Sequence, residues 1–176
     1  MNLLTDLDVK GKRVFLRVDF NVPLDEAGAI RDDNRIKASL LTISWLLDHG
    51  ARLVIASHLG RPKGKPEPKM SLKPAAKRLA ELIPHKVIMA PDVVGDEVEA
   101  LKRGLGEGEA LLLENVRFYK EEEKNDPEFS RKLAEGIDIF VNDAFGSSHR
   151  ALASVVGVAE LVPVKAAGFL MKKEVD

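Results

Sequence analysis

Five short apolar runs, each ending in a polar loop and followed in turn by a helical pattern, constrain this chain more than any other feature. Residues 14–18, 53–57, 86–90, 110–113 and 138–141 carry Val, Ile, Leu, Met and Phe in nearly unbroken order. Such runs suit strands covered on both faces rather than strands with one wet face. Between them, residues 34–49, 71–83, 96–105 and 127–137 place apolar side chains at helical spacing. Tight hairpin signals are missing, so successive strands are joined by helices and run parallel. The expected fold is α/β: an open, mainly parallel sheet with helices on both faces.

Local signals place the boundaries. Asp32 and Asp33 are expected to cap the 34–49 helix, whose buried stripe is Ile36, Leu40, Ile43 and Leu47, with Trp45 at its edge. Gly50 is the expected stop, and His49 a cap on the last turn. Ser71 starts the next helix, with Pro74 in its first turn and Leu79, Leu82 and Ile83 on its apolar face. Residues 63–69, rich in Pro, Lys and Gly, read as a mobile surface loop. Glu121, Glu122 and Glu123 read as a solvated acidic face. Residues 166–176 read as the start of a helix.

Ligands of open α/β sheets sit beyond the carboxyl ends of the strands. The first strand runs out into Arg17, Asp19 and Asn21, at alternate positions that point to one side while the backbone stays extended. The second delivers His58 and Arg61, the fourth Asn115 and Arg117, and the fifth Asn142, Asp143, His149 and Arg150. Arg35, in the first turn of the first helix, reaches the same edge. Several guanidiniums at one rim repel each other unless an anion binds there, and their planar forks suit carboxylate and phosphate oxygens. The plain alternative is local pairing, Arg17 with Asp19 or Arg35 with Asp32.

Composition narrows the rest. The chain has 176 residues, enough for one sizeable core, and a formal net charge of −1, so attraction for an anion has to come from local clustering. Nothing overall points to nucleic acid or an anionic membrane. Cysteine is absent, which removes disulfides and thiolate chemistry. No run approaches the roughly 18 apolar residues of a membrane span, and no signal peptide is visible at the start.

Other motifs fail on chemistry. Residues 60–65 look like a phosphate loop, but the glycines are too close and Pro66 stands where a hydroxyl is needed. Gly104, Gly106 and Gly108 precede a strand instead of following one. His85 has no partner within sequence reach, and no His, Asp and Glu set has metal-ligand spacing. Ser57, Ser147 and Ser148 could be nucleophiles, but each lacks a convincing base.

Taken together, the motifs Arg17-Val18-Asp19-Phe20-Asn21-Val22-Pro23, Asp33-Asn34-Arg35-Ile36, Ser57-His58-Leu59-Gly60-Arg61-Pro62, Leu113-Glu114-Asn115-Val116-Arg117-Phe118 and Asn142-Asp143-Ala144-Phe145-Gly146 with His149-Arg150 resemble phosphoglycerate kinases, in family order. The resemblance implies a three-layer Rossmann-like domain at 1–165 that binds 3-phosphoglycerate or 1,3-bisphosphoglycerate, and the start of an interdomain hinge helix at 166–176. Carried over by position, it implies substrate binding by Asp19, Phe20, Asn21, Arg35, His58, Leu59, Gly60, Arg61, Arg117 and Arg150. Arg61, Arg117, Arg150 and His58 would hold the 3-phosphate, Asp19 and Asn21 would orient the hydroxyl and carboxylate end, and Arg35 would stabilise the transferred phosphoryl group. The family's second domain, which binds Mg-ATP or Mg-ADP, has no match here. The expectation is therefore a cytoplasmic, monomeric substrate-binding half, without cofactor or metal of its own, that binds substrate but does not turn it over. The alternatives are a non-catalytic anion-binding module and, more remotely, a small hydrolase using Ser147 or Ser148.

Overall fold

A computed structural model describes residues 2–144 and 150–171. Among them, seven parallel strands form one sheet: β1 (Asn2–Leu3), β2 (Arg13–Arg17), β3 (Arg52–Ala56), β4 (Val87–Met89), β5 (Ala110–Leu112), β6 (Ile139–Asn142) and β7 (Val164–Ala167), in the order β1-β7-β6-β2-β3-β5-β4. They are accompanied by the α-helices α1 (Asn34–Ala38), α2 (Leu40–Asp48), α3 (Lys73–Leu82), α4 (Asp96–Gly104), α5 (Lys120–Glu123), α6 (Pro127–Ala134) and α7 (Val158–Leu161).

The unbroken apolar runs are explained by two cores, one on each face. Side chains alternate along a strand, so Val14 and Leu16 of β2 join Leu53 and Ile55 of β3, Ala110 and Leu112 of β5, and Ile139 and Val141 of β6 in one core. Phe15 joins Val54, Leu111 and Phe140 in the other. Register puts Phe15 beside Val54 and Phe140, and the two phenyl rings stack with centroids 6.0 Å apart. The first core is closed by Ile36 of α1, Ile43, Leu46 and Leu47 of α2, and Ala75 and Leu79 of α3. The second is closed by Val98 of α4, Phe129 and Leu133 of α6, and Val158 of α7. This is the expected three-layer Rossmann-like α/β fold. Truncating Phe15, fully buried in the central strand, to alanine costs about 3–5 kcal/mol.

Two expectations need correcting. The long first helix is broken at Ser39, whose hydroxyl donates to the Arg35 carbonyl and competes with the helical ladder. Residues 166 and 167 belong to β7, not to a helix: Ala166 and Ala167 pair with Asn2 and Leu3, and the next helix starts at Phe169. Residues 172–176 of that expected helix lie outside the described residues. Within the 63–69 surface loop the Gly64 amide donates to the Arg117 carbonyl at 3.2 Å. Gly64 has φ +79°, and a Cβ there would meet Lys120.

Strand order changes direction around β2. From β2 the chain builds outward through β3 to β4 and β5, then crosses to β6 and β7 on the other side. Arg17 is level with Ala56 of β3 and Asn142 of β6. The loops after these strands therefore leave the sheet at one height, at the switch point where ligands of such sheets bind.

Candidate functional site

At that edge lies a cleft of about 320 Å³ lined by Asp19, Asn21, Arg35, His58, Gly60, Arg61, Arg117 and Arg150. Four loops and one helix contribute, as the parallel sheet requires. Arg35 comes from the first turn of α1; its Nη1 donates to Asp19 Oδ1 at 3.3 Å and to the Asn21 carbonyl at 2.8 Å. Its partner is thus Asp19, not Asp32, and the side chain stays half exposed. Asn21 Oδ1 accepts the Gly60 amide at 2.9 Å, and Arg117 Nη1 donates to the Gly60 carbonyl at 3.0 Å. Gly60, at φ +63°, is thereby held from both sides.

The loops are clamped from beneath by groups that do not line the cleft. Asn115 is fully buried: its Oδ1 accepts the Leu59 and Arg117 amides, and its Nδ2 donates to the Leu59 and Met70 carbonyls. Ser57 Oγ accepts the Phe20 amide at 2.8 Å and donates to the His58 carbonyl at 2.9 Å. That hydroxyl is committed to a buried clamp and is not a nucleophile. Phe20 and Leu59 put their side chains into the core below the cleft. Asn142 and Asp143 are buried as well and turn away from it. Residues 145–149, with Ser147, Ser148 and His149, lie outside the described residues.

Arg17 departs furthest from expectation. β2 ends at Arg17, and Asp19 and Asn21 reach the cleft from the loop beyond it, whereas the Arg17 side chain does not line the cleft. The guanidinium is fully buried. Its Nε donates to Ser154 Oγ at 2.8 Å, its Nη1 to the Val18 carbonyl, and its Nη2 to His58 Nδ1 at 3.0 Å. Glu122 Oε2 lies 4.0 Å from Nη2. Glu122 is itself fully buried and accepts both the amide and the hydroxyl of Ser154. The acidic face expected at 121–123 is therefore wrong at its middle residue. The other two histidines within reach are structural: His49 Nδ1 meets the Trp45 carbonyl at 2.7 Å, as expected of a cap, and His85 finds long-range partners in Asp48 and the Gly108 carbonyl.

The field in the cleft is positive. Burial pushes His58 down to about 3, helped by Arg17, Arg117, Arg150 and Arg35. Arg117 is lowered by burial and by Arg150 and Arg61, with Glu123 opposing. Cations that depress one another's proton affinity are relieved by an anion. Donors are plentiful, and Asp19 is the sole carboxylate lining the cleft among the described residues.

A parallel α/β sheet with an arginine-rich cleft at its switch point defines a Rossmann-like domain whose cleft chemistry suits a small, multiply charged anion. Comparison with known proteins makes the assignment specific. The family model described as phosphoglycerate kinase matches residues 4–176, and this chain belongs to that family. The cytosolic phosphoglycerate kinase of Triticum aestivum is 60% identical over 173 residues, covering 98% of this chain and 43% of that protein. The phosphoglycerate kinase of Koribacter versatilis is 54% identical over 179 residues, covering 98% and 44%. The solved structure of the Coxiella burnetii phosphoglycerate kinase superposes with a TM-score of 0.86 at 39% identity, covering 99% of this chain and 43% of that one. The chain thus spans under half the length of the relatives it matches.

Proposed function

We propose that the chain is the substrate-binding half of a glycolytic phosphoglycerate kinase, holding 3-phosphoglycerate or 1,3-bisphosphoglycerate in the cleft. The observation that carries this reading is the set of cationic and hydrogen-bonding groups at one sheet edge: Arg35, Arg61, Arg117, Arg150 and His58 around Asp19 and Asn21. Arg61, Arg117 and Arg150 with His58 take the 3-phosphate, because guanidinium forks bond phosphate oxygens in pairs. Asp19 and Asn21 orient the hydroxyl and carboxylate end. Phe20, Leu59 and Gly60 contribute through their backbone, which the clamps beneath hold in place. Arg35, half exposed at the open side, faces the transferred phosphoryl group and neutralises its charge as it moves.

The substrate-binding domain is taken to run through β7, with the helix that begins at Phe169 as the start of the interdomain helix. Among the described residues no group of three or more His, Asp or Glu could hold a metal ion. In this reading Mg-ATP and Mg-ADP are held by the other half of a full-length protein, which closes on this one to align the reactants and exclude water. The 176 residues alone bind substrate without turning it over. No described helix is long and apolar enough to cross a membrane. A cytoplasmic location is proposed by analogy with the relatives named as cytosolic, and a monomeric state is part of the same proposal.

Calorimetric titration of 3-phosphoglycerate, at low and moderate salt, tests the reading. Saturable binding that weakens with salt and is lost in Arg61→Ala is expected. No binding at millimolar ligand would overturn it. Adding the missing half in trans separates a kinase half, which regains ATP synthesis, from a non-catalytic anion-binding module, which does not.

A further inference from the structure

Beneath the cleft, Glu122, Ser154, Arg17 and His58 form one buried chain of contacts. Glu122 receives two hydrogen bonds from Ser154, Ser154 receives one from Arg17 Nε, and Arg17 Nη2 points at His58 Nδ1. A guanidinium has only donors to offer. The 3.0 Å contact therefore requires Nδ1 to be the acceptor, and the proton of a neutral imidazole is left on Nε2.

We infer that Glu122 and Ser154 are positioning residues that act through Arg17 to lock His58 as the neutral tautomer with its proton on Nε2, the form that donates a hydrogen bond into the cleft. The inference rests on reading the cleft as a phosphate site. A fixed Nε2–H suits an acceptor-only phosphate oxygen, whereas a freely exchanging ring would present a repelling lone pair part of the time. The groups facing the ring agree: Arg17 and Asp19 from β2 and the loop after it, Arg35 from α1, Arg61 from its own loop, Arg117 from the turn after β5, and Arg150. Four of these arginines disfavour a second proton. Glu122 of α5 lies behind Arg17 and offsets that buried cation, leaving the rim arginines for a ligand.

The test is the two-bond proton–nitrogen NMR pattern of the histidine rings in the ligand-free 176-residue chain, from about pH 5 to 8, with His58 assigned through His58→Gln. One ring fixed as the Nε2–H tautomer and not titrating is expected. In Ser154→Ala that ring should exchange between tautomers, and 3-phosphoglycerate affinity should fall roughly tenfold, the size of one hydrogen bond to a charged group. Ser154→Thr, which keeps the hydroxyl, should restore both. An Nδ1–H or averaged ring in the unsubstituted chain overturns the inference, as does an unchanged pattern in folded Ser154→Ala. The tautomer readout needs no ligand, so absence of phosphoglycerate binding would sink the substrate reading while leaving the tautomer result to stand or fall alone.

Discussion

Glu122 and Glu123 are neighbours in α5, yet they serve different arginines in different media. Glu122 lies buried 4.0 Å from Arg17, and Glu123, half exposed, lies 3.3 Å from Arg117 at the rim. The half-exposed Glu123 carboxylate is screened by solvent even though Arg117 is largely buried, and such a pairing is worth under about 1 kcal/mol. Removing one partner of a buried pair strands the other charge and costs about 3–5 kcal/mol. Glu122→Ala is thus expected to destabilise the chain by that larger amount and Glu123→Ala hardly at all. Urea unfolding of both variants checks this, and equal midpoints would refute it.

Arg35 and Arg61 should separate binding from turnover. Arg35 already has a carboxylate partner in Asp19 and stands half exposed. In a full-length family member carrying this segment, Arg35→Ala should lower kcat far more than it raises KM, because its charge is needed chiefly in the transition state. Arg61→Ala should raise KM first. Steady-state kinetics decide, and a mainly KM effect in both would remove Arg35 from its assigned place.

How much of this was legible in the sequence follows from locality. The strands around Phe15, Val54, Leu111 and Phe140 were readable because unbroken apolar runs have few uses other than a doubly covered sheet. The cleft arginines were readable because parallel strands bring every following loop to one edge. Arg17 was not, since extending the two-residue alternation past the end of β2 assumed a backbone that the strand does not keep. Glu122 looked solvated because its partner Ser154 is 32 residues away and no local pattern links them. β7 escaped notice because Val164-Lys165-Ala166-Ala167 has weak strand preference; its pairing with β1 and β6 overrides that.

Asp143 anchors the helix that leaves the sheet. Its Oδ1 accepts the Met171 amide at 3.0 Å, while the Phe169 amide donates to Thr42 Oγ1 at 3.0 Å. A Cβ on Gly168 would overlap the Asp143 carboxyl group, so Gly168→Ala should cost about 1–3 kcal/mol by displacing it. Burial raises the Asp143 pKa. The stability tied to that shift is present below the unfolded value of about 4 and is lost as pH rises through the folded one. Asp143→Asn, which keeps an acceptor for Met171 without the charge, should therefore gain relative to the unsubstituted chain between pH 4 and 7. Denaturant midpoints at the two pH values measure this, and a constant difference would contradict it.

His58 carries the opposite sign. Its folded pKa is depressed to about 3, first by burial and then by Arg17, against about 6.5 when unfolded. Above pH 6.5 both states hold the neutral ring and nothing is lost. Between those values the unfolded chain takes up a proton that the folded chain refuses, so stability falls as pH falls, by at most about 1.4 kcal/mol per unit. Carboxylates add their own slopes, so the informative quantity is the difference between the unsubstituted chain and His58→Gln, whose amide oxygen can still accept from Arg17. That difference should be flat above pH 7 and should swing toward the glutamine variant from pH 6 to 4. A flat difference across the whole range would mean that His58 takes up its proton in the fold as readily as in the open chain, and that the arginines around it do not set its charge.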